Sequence, residues 1–154
     1  MTIAVGQHIP DAHVSIYQDG IKFVSAKEVL GEGKVVLFAV PGAFTPTCSN
    51  KHLPGYIQHI EDFRARGVKV ACLSVNDSFV MDAWAKERGV PADIQLLADG
   101  NATLPRALGL ELDGTTNGMG IRATRFAMYI ADGVATLLPV AAPGEFHVVA
   151  AEAL

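Results

Sequence analysis

Clustered positive charge is what this chain lacks most clearly. Its 154 residues carry 12 lysines and arginines against 16 aspartates and glutamates, and no three basic residues stand in a row. Nucleic acid and anionic membrane both select a concentrated basic footprint, so neither is expected as a partner. Cysteine is scarce too: Cys48 and Cys72 are the only two. Two thiols do not build a disulfide scaffold, which points to a reducing, cytoplasmic setting. His8, His13, His59 and His147 show no metal-ligand spacing among themselves or with the cysteines, and read as solvated surface or loop residues. No apolar run approaches the ~20 residues that span a bilayer; the stretch from Val35 to Pro41 is typical of the longest. The opening MTIAVGQHIPDAH has no basic segment ahead of a long apolar one, so it is not read as a secretory signal. Repeats, low-complexity tracts and linkers are missing as well, and one domain over 1–154 is expected.

Half of the residues are hydrophobic, enough to bury a substantial core. The pattern alternates strand and helix. Lys34 to Val40 (KVVLFAV) is an apolar, β-branched run of the kind buried on both faces of a sheet. Pro41 to Thr47 is a loop, and Cys48 to Arg66 is expected as a helix closed at Gly67 and kinked by Pro54 and Gly55. Val68 to Val75 is a second buried strand. Asn76, Asp77 and Ser78 offer caps for a helix from Phe79 to Arg88 that ends at Gly89, in which Phe79, Val80, Ala83 and Trp84 recur at core spacing. A strand at Ile94 to Ala98, a short helix from Asn101 to Leu108 and a glycine-rich loop follow. Thr124 to Ile130 and Val134 to Val140 then read as strands joined at Asp132-Gly133, a strong hairpin signal. A last helix is expected from Val148 to Leu154. The sum is an α/β thioredoxin-like sandwich, a mixed central sheet flanked by helices.

The informative stretch is Pro41-Gly-Ala-Phe-Thr-Pro-Thr-Cys48. Cys48 falls in the first turn of the expected helix, where unpaired N–H groups and the helix dipole favour an anion. Such siting lowers a thiol pKa from about 8.5 into the range ~3.5–7.5, and only the thiolate is a nucleophile. A free cysteine is more often a small buried hydrophobe. Thr45, Pro46, Thr47, Ser49 and Asn50 around Cys48 are polar or turn-forming, which is no setting for a core residue. Thr45 sits where a Cys-x-x-Cys motif would carry its first thiol; it rules out dithiol exchange at this site and supplies a hydroxyl that can donate or accept. Pro41 has no N–H to compete for the sulfur and stiffens the loop.

P-x-x-x-T-x-x-C resembles the active-site signature of the peroxiredoxins, and VPGAFTPTCSNKHLPGY is similar to their type II subgroup. CLSVNDSFVMDAWAKE (Cys72 to Glu87) is similar to the second strand and helix of that subgroup. RATRFAMYIADGV (Arg122 to Val134) is similar to the strand that carries the family's active-site arginine, which maps onto Arg125. The resemblance implies a thioredoxin fold and a thiol peroxidase without metal, haem or flavin. Cys48 would be the peroxidatic nucleophile, with Pro41, Thr45 and Arg125 as its shell. The implied substrates are hydrogen peroxide and alkyl hydroperoxides, the implied reductant glutathione, glutaredoxin or thioredoxin, and the implied assembly a homodimer.

Cys72 lies in the apolar run VKVACLSV and reads as a core residue; the other reading is a thiol that resolves a Cys48 sulfenic acid. No cysteine follows Cys72, so an external thiol is the expected reductant. His52 lies four residues beyond Cys48 and could pair with its thiolate, but packing or hydrogen bonding at the helix start is the simpler role. Gly118 to Ile121 could line the pocket mouth. Two rivals use the same thiol. A thiol–disulfide oxidoreductase is disfavoured by Thr45, and a non-enzymatic redox sensor or holdase would consume about one equivalent of peroxide.

Overall fold

The computed structural model describes residues 2–46 and 52–140. An N-terminal hairpin of β1 (His13–Tyr17) and β2 (Ile21–Ser25) leads into α1 (Ala26–Leu30). A search for apolar runs passes over this hairpin, because no residue of β2 is fully buried. The expected run follows as β3 (Lys34–Val40), buried from Val35 onward. Next come α2 (Leu53–Gln58), α3 (Ile60–Ala65), β4 (Val68–Ser74), α4 (Ser78–Arg88), β5 (Ile94–Ala98) and α5 (Thr103–Leu108). A small hairpin of β6 (Glu111–Asp113) and β7 (Ile121–Ala123) spans the glycine-rich loop, and β8 (Phe126–Ala131) and β9 (Val134–Leu137) close the order.

One seven-stranded sheet runs β2-β1-β5-β4-β3-β8-β9. β3, β4 and β5 are parallel at its centre, while β1 and β8 flank them antiparallel. Side chains of alternate residues leave opposite faces of a strand. Val35, Leu37 and Ala39 accordingly join one core, with Leu30, Leu104 and Phe126. Val36, Phe38 and Val40 join the other, with Tyr56, Phe63, Cys72 and Trp84. Each large apolar side chain fully buried in this way contributes about 1.5–3 kcal/mol. The mixed sheet with both faces covered is the thioredoxin-like sandwich expected.

Three local expectations need correction. The break in the long helix falls at His59, not at Pro54 and Gly55. Its backbone leaves helical geometry (φ −99, ψ 9) between α2 and α3. Leu53, Tyr56, Ile60 and Phe63 stay on one buried stripe across the break, so burial sets where the chain bends. Pro54 instead sits in the first turn of α2, where its missing N–H breaks no helical bond. In α4, Phe79 is 62% exposed and Ala83 is exposed, while Met81 and Trp84 face the core. The phase is set at the first turn: Asp77 caps Val80 N–H, and the Ser78 hydroxyl bonds Ser15 at 2.8 Å. The 124–130 strand starts at Phe126, and beyond Leu137 only an isolated bridge pairs Phe126 with Val140. The helix expected over Val148 to Leu154 lies outside the described residues.

Candidate active site

Parallel strands deliver their carboxyl ends to one rim. Val40 of β3 pairs with Ser74 of β4, and Ser74 with Ala98 of β5. β8 runs the other way, and its first residue Phe126 pairs with Ala39. Arg125 therefore enters the sheet beside Val40 and Pro41, although it lies more than eighty positions away in sequence. The strand order thus brings Pro41, Thr45 and Arg125 to the same rim. Cys48 lies outside the described residues.

The Pro41–Thr45 turn is held from several sides. Thr45 Oγ donates to Gly42 O at 2.7 Å, which leaves the hydroxyl's lone pairs as acceptors. Ala43 N–H donates to Asn76 Oδ1 at 3.0 Å, and the Ser74 hydroxyl donates to the same oxygen at 2.5 Å. Asn76 thus ties the loop after β3 to the loop after β4, whereas Asp77 is the helix cap. A Cβ on Gly42 would come within 3.2 Å of Thr45 Cγ2 and 3.4 Å of Arg122 Nη1, so the close approach favours glycine there. Phe44 stands at φ 65, a left-handed conformation uncommon outside glycine, and is 48% exposed.

Two arginines reach this rim. Arg125 Nη1 lies 2.8 Å from Nδ1 of His52, whose ring is fully buried and tilted against the stacked Phe38 and Tyr56. Arg122 donates from Nε to Met119 O at 2.8 Å and from Nη1 to Val75 O at 2.9 Å. The glycine-rich loop does therefore sit against the mouth of the rim, through Met119. Arg122 was not singled out from the sequence. Its place three residues ahead of Arg125 was the available signal, but one of its partners, Val75 O, lies on a distant segment. Cys72 is fully buried beneath α2 and α4, on the core side of β4. His59 pairs with Asp62 at 3.2 Å near the surface, in keeping with its expected solvated role.

At the end of β5, Asp99 is buried and accepts from Thr103 N–H at 3.0 Å and Leu104 N–H at 2.8 Å. Burial pushes its carboxyl above the ordinary 3.8, and the two N–H bonds pull it partly back. Its role is to hold the start of α5.

The redoxin family's sequence pattern matches residues 4–147. Peroxiredoxin-2E-2 (chloroplastic) of Oryza sativa subsp. japonica is 49% identical over 98% of this chain and 70% of its own length. Peroxiredoxin-2B of Arabidopsis thaliana is 42% identical over 97% of this chain and 94% of its own. Among solved structures, reduced Prx3 of Vibrio vulnificus in complex with hydrogen peroxide superposes with a TM-score of 0.93. It is 47% identical and covers 98% of this chain and 92% of its own. No helix among the described residues is long and apolar enough to cross a membrane. The fold shared with these relatives and the identity to them make the chain a thiol-dependent peroxidase. The chain belongs to the redoxin family and, within it, to the type II peroxiredoxins.

Proposed function

We propose that Cys48 is the attacking thiolate, with Pro41, Thr45 and Arg125 as its working shell, and that hydrogen peroxide and alkyl hydroperoxides are the substrates. The observation that carries this reading is the arrival of Arg125 beside the Pro41–Thr45 turn, with the Thr45 hydroxyl proton already engaged by Gly42 O. The sulfur attacks one peroxide oxygen in line; the O–O bond breaks and the other oxygen leaves as hydroxide or alkoxide, which takes a proton. Thr45 accepts the hydrogen of the attacked hydroxyl. Arg125, a permanent cation with a planar fork of donors, favours the thiolate and the charge developing on both oxygens. The product is a Cys48 sulfenic acid. One glutathione or glutaredoxin thiol condenses with it, releasing water and leaving a mixed disulfide, and a second thiol restores Cys48. Thioredoxin is the other candidate donor.

A homodimer belongs to the same proposal. Its support is apolar surface: Phe79 meets Tyr17 edge-on at 6.0 Å and both are exposed, as is Phe44. Sedimentation as a monomer at micromolar concentration would remove that part. A cytoplasmic place rests on the cysteine count, and cell fractionation tests it.

The function is tested with Cys48→Ser. This variant should keep the wild-type circular dichroism spectrum and lose peroxide turnover with excess glutathione and glutaredoxin. The wild type should consume many equivalents. Consumption near one equivalent would identify a sensor, and multiple turnover by the variant would end the assignment of Cys48.

A further inference from the structure

An arginine has N–H donors and no acceptor, so in the contact of 2.8 Å between Arg125 Nη1 and His52 Nδ1 the ring must accept. His52 is then neutral, with its proton on Nε2. The ring has no exposure to solvent, and Phe38 and Tyr56 lie against it at centroid distances of 5.0 and 5.6 Å. Phe38 and Tyr56 are themselves stacked in parallel at 3.9 Å, and Tyr56 packs on Phe63 at 5.8 Å. An apolar ring would fit this aromatic cluster without the desolvation cost that a buried imidazole carries. The bond to Arg125 gives the polar ring a partner that an apolar ring could not have.

We propose that His52 is a positioning residue for Arg125: a neutral acceptor, locked by aromatic packing, that fixes the direction of the guanidinium. A carboxylate would hold the guanidinium equally well, but its negative charge would cancel the field that favours the thiolate and the leaving oxygen. An imidazole fixes the orientation and leaves the full positive charge in place. The inference rests on the role of Arg125 given above, and the experiment separates the two.

The test measures the second-order rate of hydrogen peroxide attack by stopped flow in His52→Phe, His52→Asn, Arg125→Ala and the double variant His52→Phe/Arg125→Ala, each checked by thermal unfolding. His52→Phe keeps the ring and loses the acceptor, and should slow attack about tenfold, the scale of one lost hydrogen bond. Saturating turnover, set by the thiol donor, should change far less. His52→Asn, whose Oδ1 falls near the place of Nδ1, should recover most of the rate. In the Arg125→Ala background His52→Phe should add less than twofold to the slowing, because the bond the two share is already gone. Equal slowing in both backgrounds, or an unchanged rate in His52→Phe where Arg125→Ala is slow, overturns the proposal and leaves Arg125 its role. An unchanged rate in Arg125→Ala overturns both. Should His52→Phe fail to fold, nitrogen NMR of labelled wild-type protein decides: a bare Nδ1 supports the bond, and a protonated Nδ1 refutes it.

Discussion

Arg122 and Arg125 stand three residues apart and are held in different ways. Arg122 spends its donors on two backbone carbonyls, Val75 O and Met119 O, and lies against Gly42. It is a clamp between three loops. Arg125 bonds a neutral ring, so its charge is not cancelled by that partner. Charge-assisted hydrogen bonds are worth about 1.5–3 kcal/mol each. Arg122→Ala should therefore lower the melting temperature by several degrees and shift the Cys48 thiol pKa little. Arg125→Ala should differ in the thiol, with a raised pKa and slower attack, besides the stability lost by leaving the buried His52 Nδ1 without this donor. Alkylation rates against pH and thermal unfolding, measured on both variants, check this; matching behaviour would merge the two roles. Sequence alone could not make the distinction. An arginine ahead of an apolar strand is usually a surface ion-pair partner, and only the resemblance raised Arg125 above that. The clamp on Val75, 47 positions away, had no local signal at all. Pro41 and Thr45 were legible, because loop geometry and hydroxyl chemistry are local properties.

At the scale of elements, the centre of the fold was legible and its margins were not. β3 and the body of β4 announce themselves as apolar runs, since a strand covered on both faces has little polar side to interrupt it, while β5 is shorter and carries the exposed Gln95. Asp132 and Gly133 both take positive φ, 48 and 84, as the hairpin signal requires. Gly89 ends α4 in the left-handed conformation, again from local chemistry. What tertiary packing decides was illegible: the phase of α4, the bend at His59 and the half-exposed N-terminal hairpin. The start of α5 mixes both kinds of cause. Its capping acceptor is Asp99, three residues ahead of an N-cap position held by Ala102. Asp99→Ala leaves two N–H groups without that acceptor and should cost about 1–2 kcal/mol, roughly 2–6 °C in melting temperature. Asp99→Asn tests the charge. The folded carboxyl titrates above its unfolded value, so the folded state takes up the proton first as pH falls. This group's contribution to stability therefore grows on acidification through the folded pKa and levels off below the unfolded one. The wild type should gain on Asp99→Asn as pH drops from neutral into the carboxylate range. A difference that moves the other way would mean the two N–H bonds outweigh burial.

At the scale of the whole molecule, depth in the fold decides what Cys72 can do. The proposed attacking cysteine follows the Pro41–Thr45 turn in sequence, and that turn stands at the rim where the parallel strands end. Cys72 pairs in register with Phe38 in the middle of the sheet and points into the core shared by Tyr56, Phe63, Met81 and Trp84. It has no solvent exposure. A thiol among apolar side chains stays protonated, and a protonated thiol does not attack a sulfenic acid. Bringing Cys72 into reach would mean lifting α2 or α4 from the sheet and exposing several large side chains, each about 1.5–3 kcal/mol of lost burial. An external thiol faces no such barrier, because it approaches from the rim. Cys72→Ala should accordingly keep more than half of the glutathione- and glutaredoxin-supported turnover, at a stability cost of about 1 kcal/mol for the small cavity. In the folded wild type, an alkylating reagent should modify Cys72 only after denaturant is added. Loss of turnover in Cys72→Ala with the fold intact would mean that the core opens during the cycle. The resolving thiol would then come from within the chain, and the dependence on an outside thiol would begin one step later, at the internal disulfide.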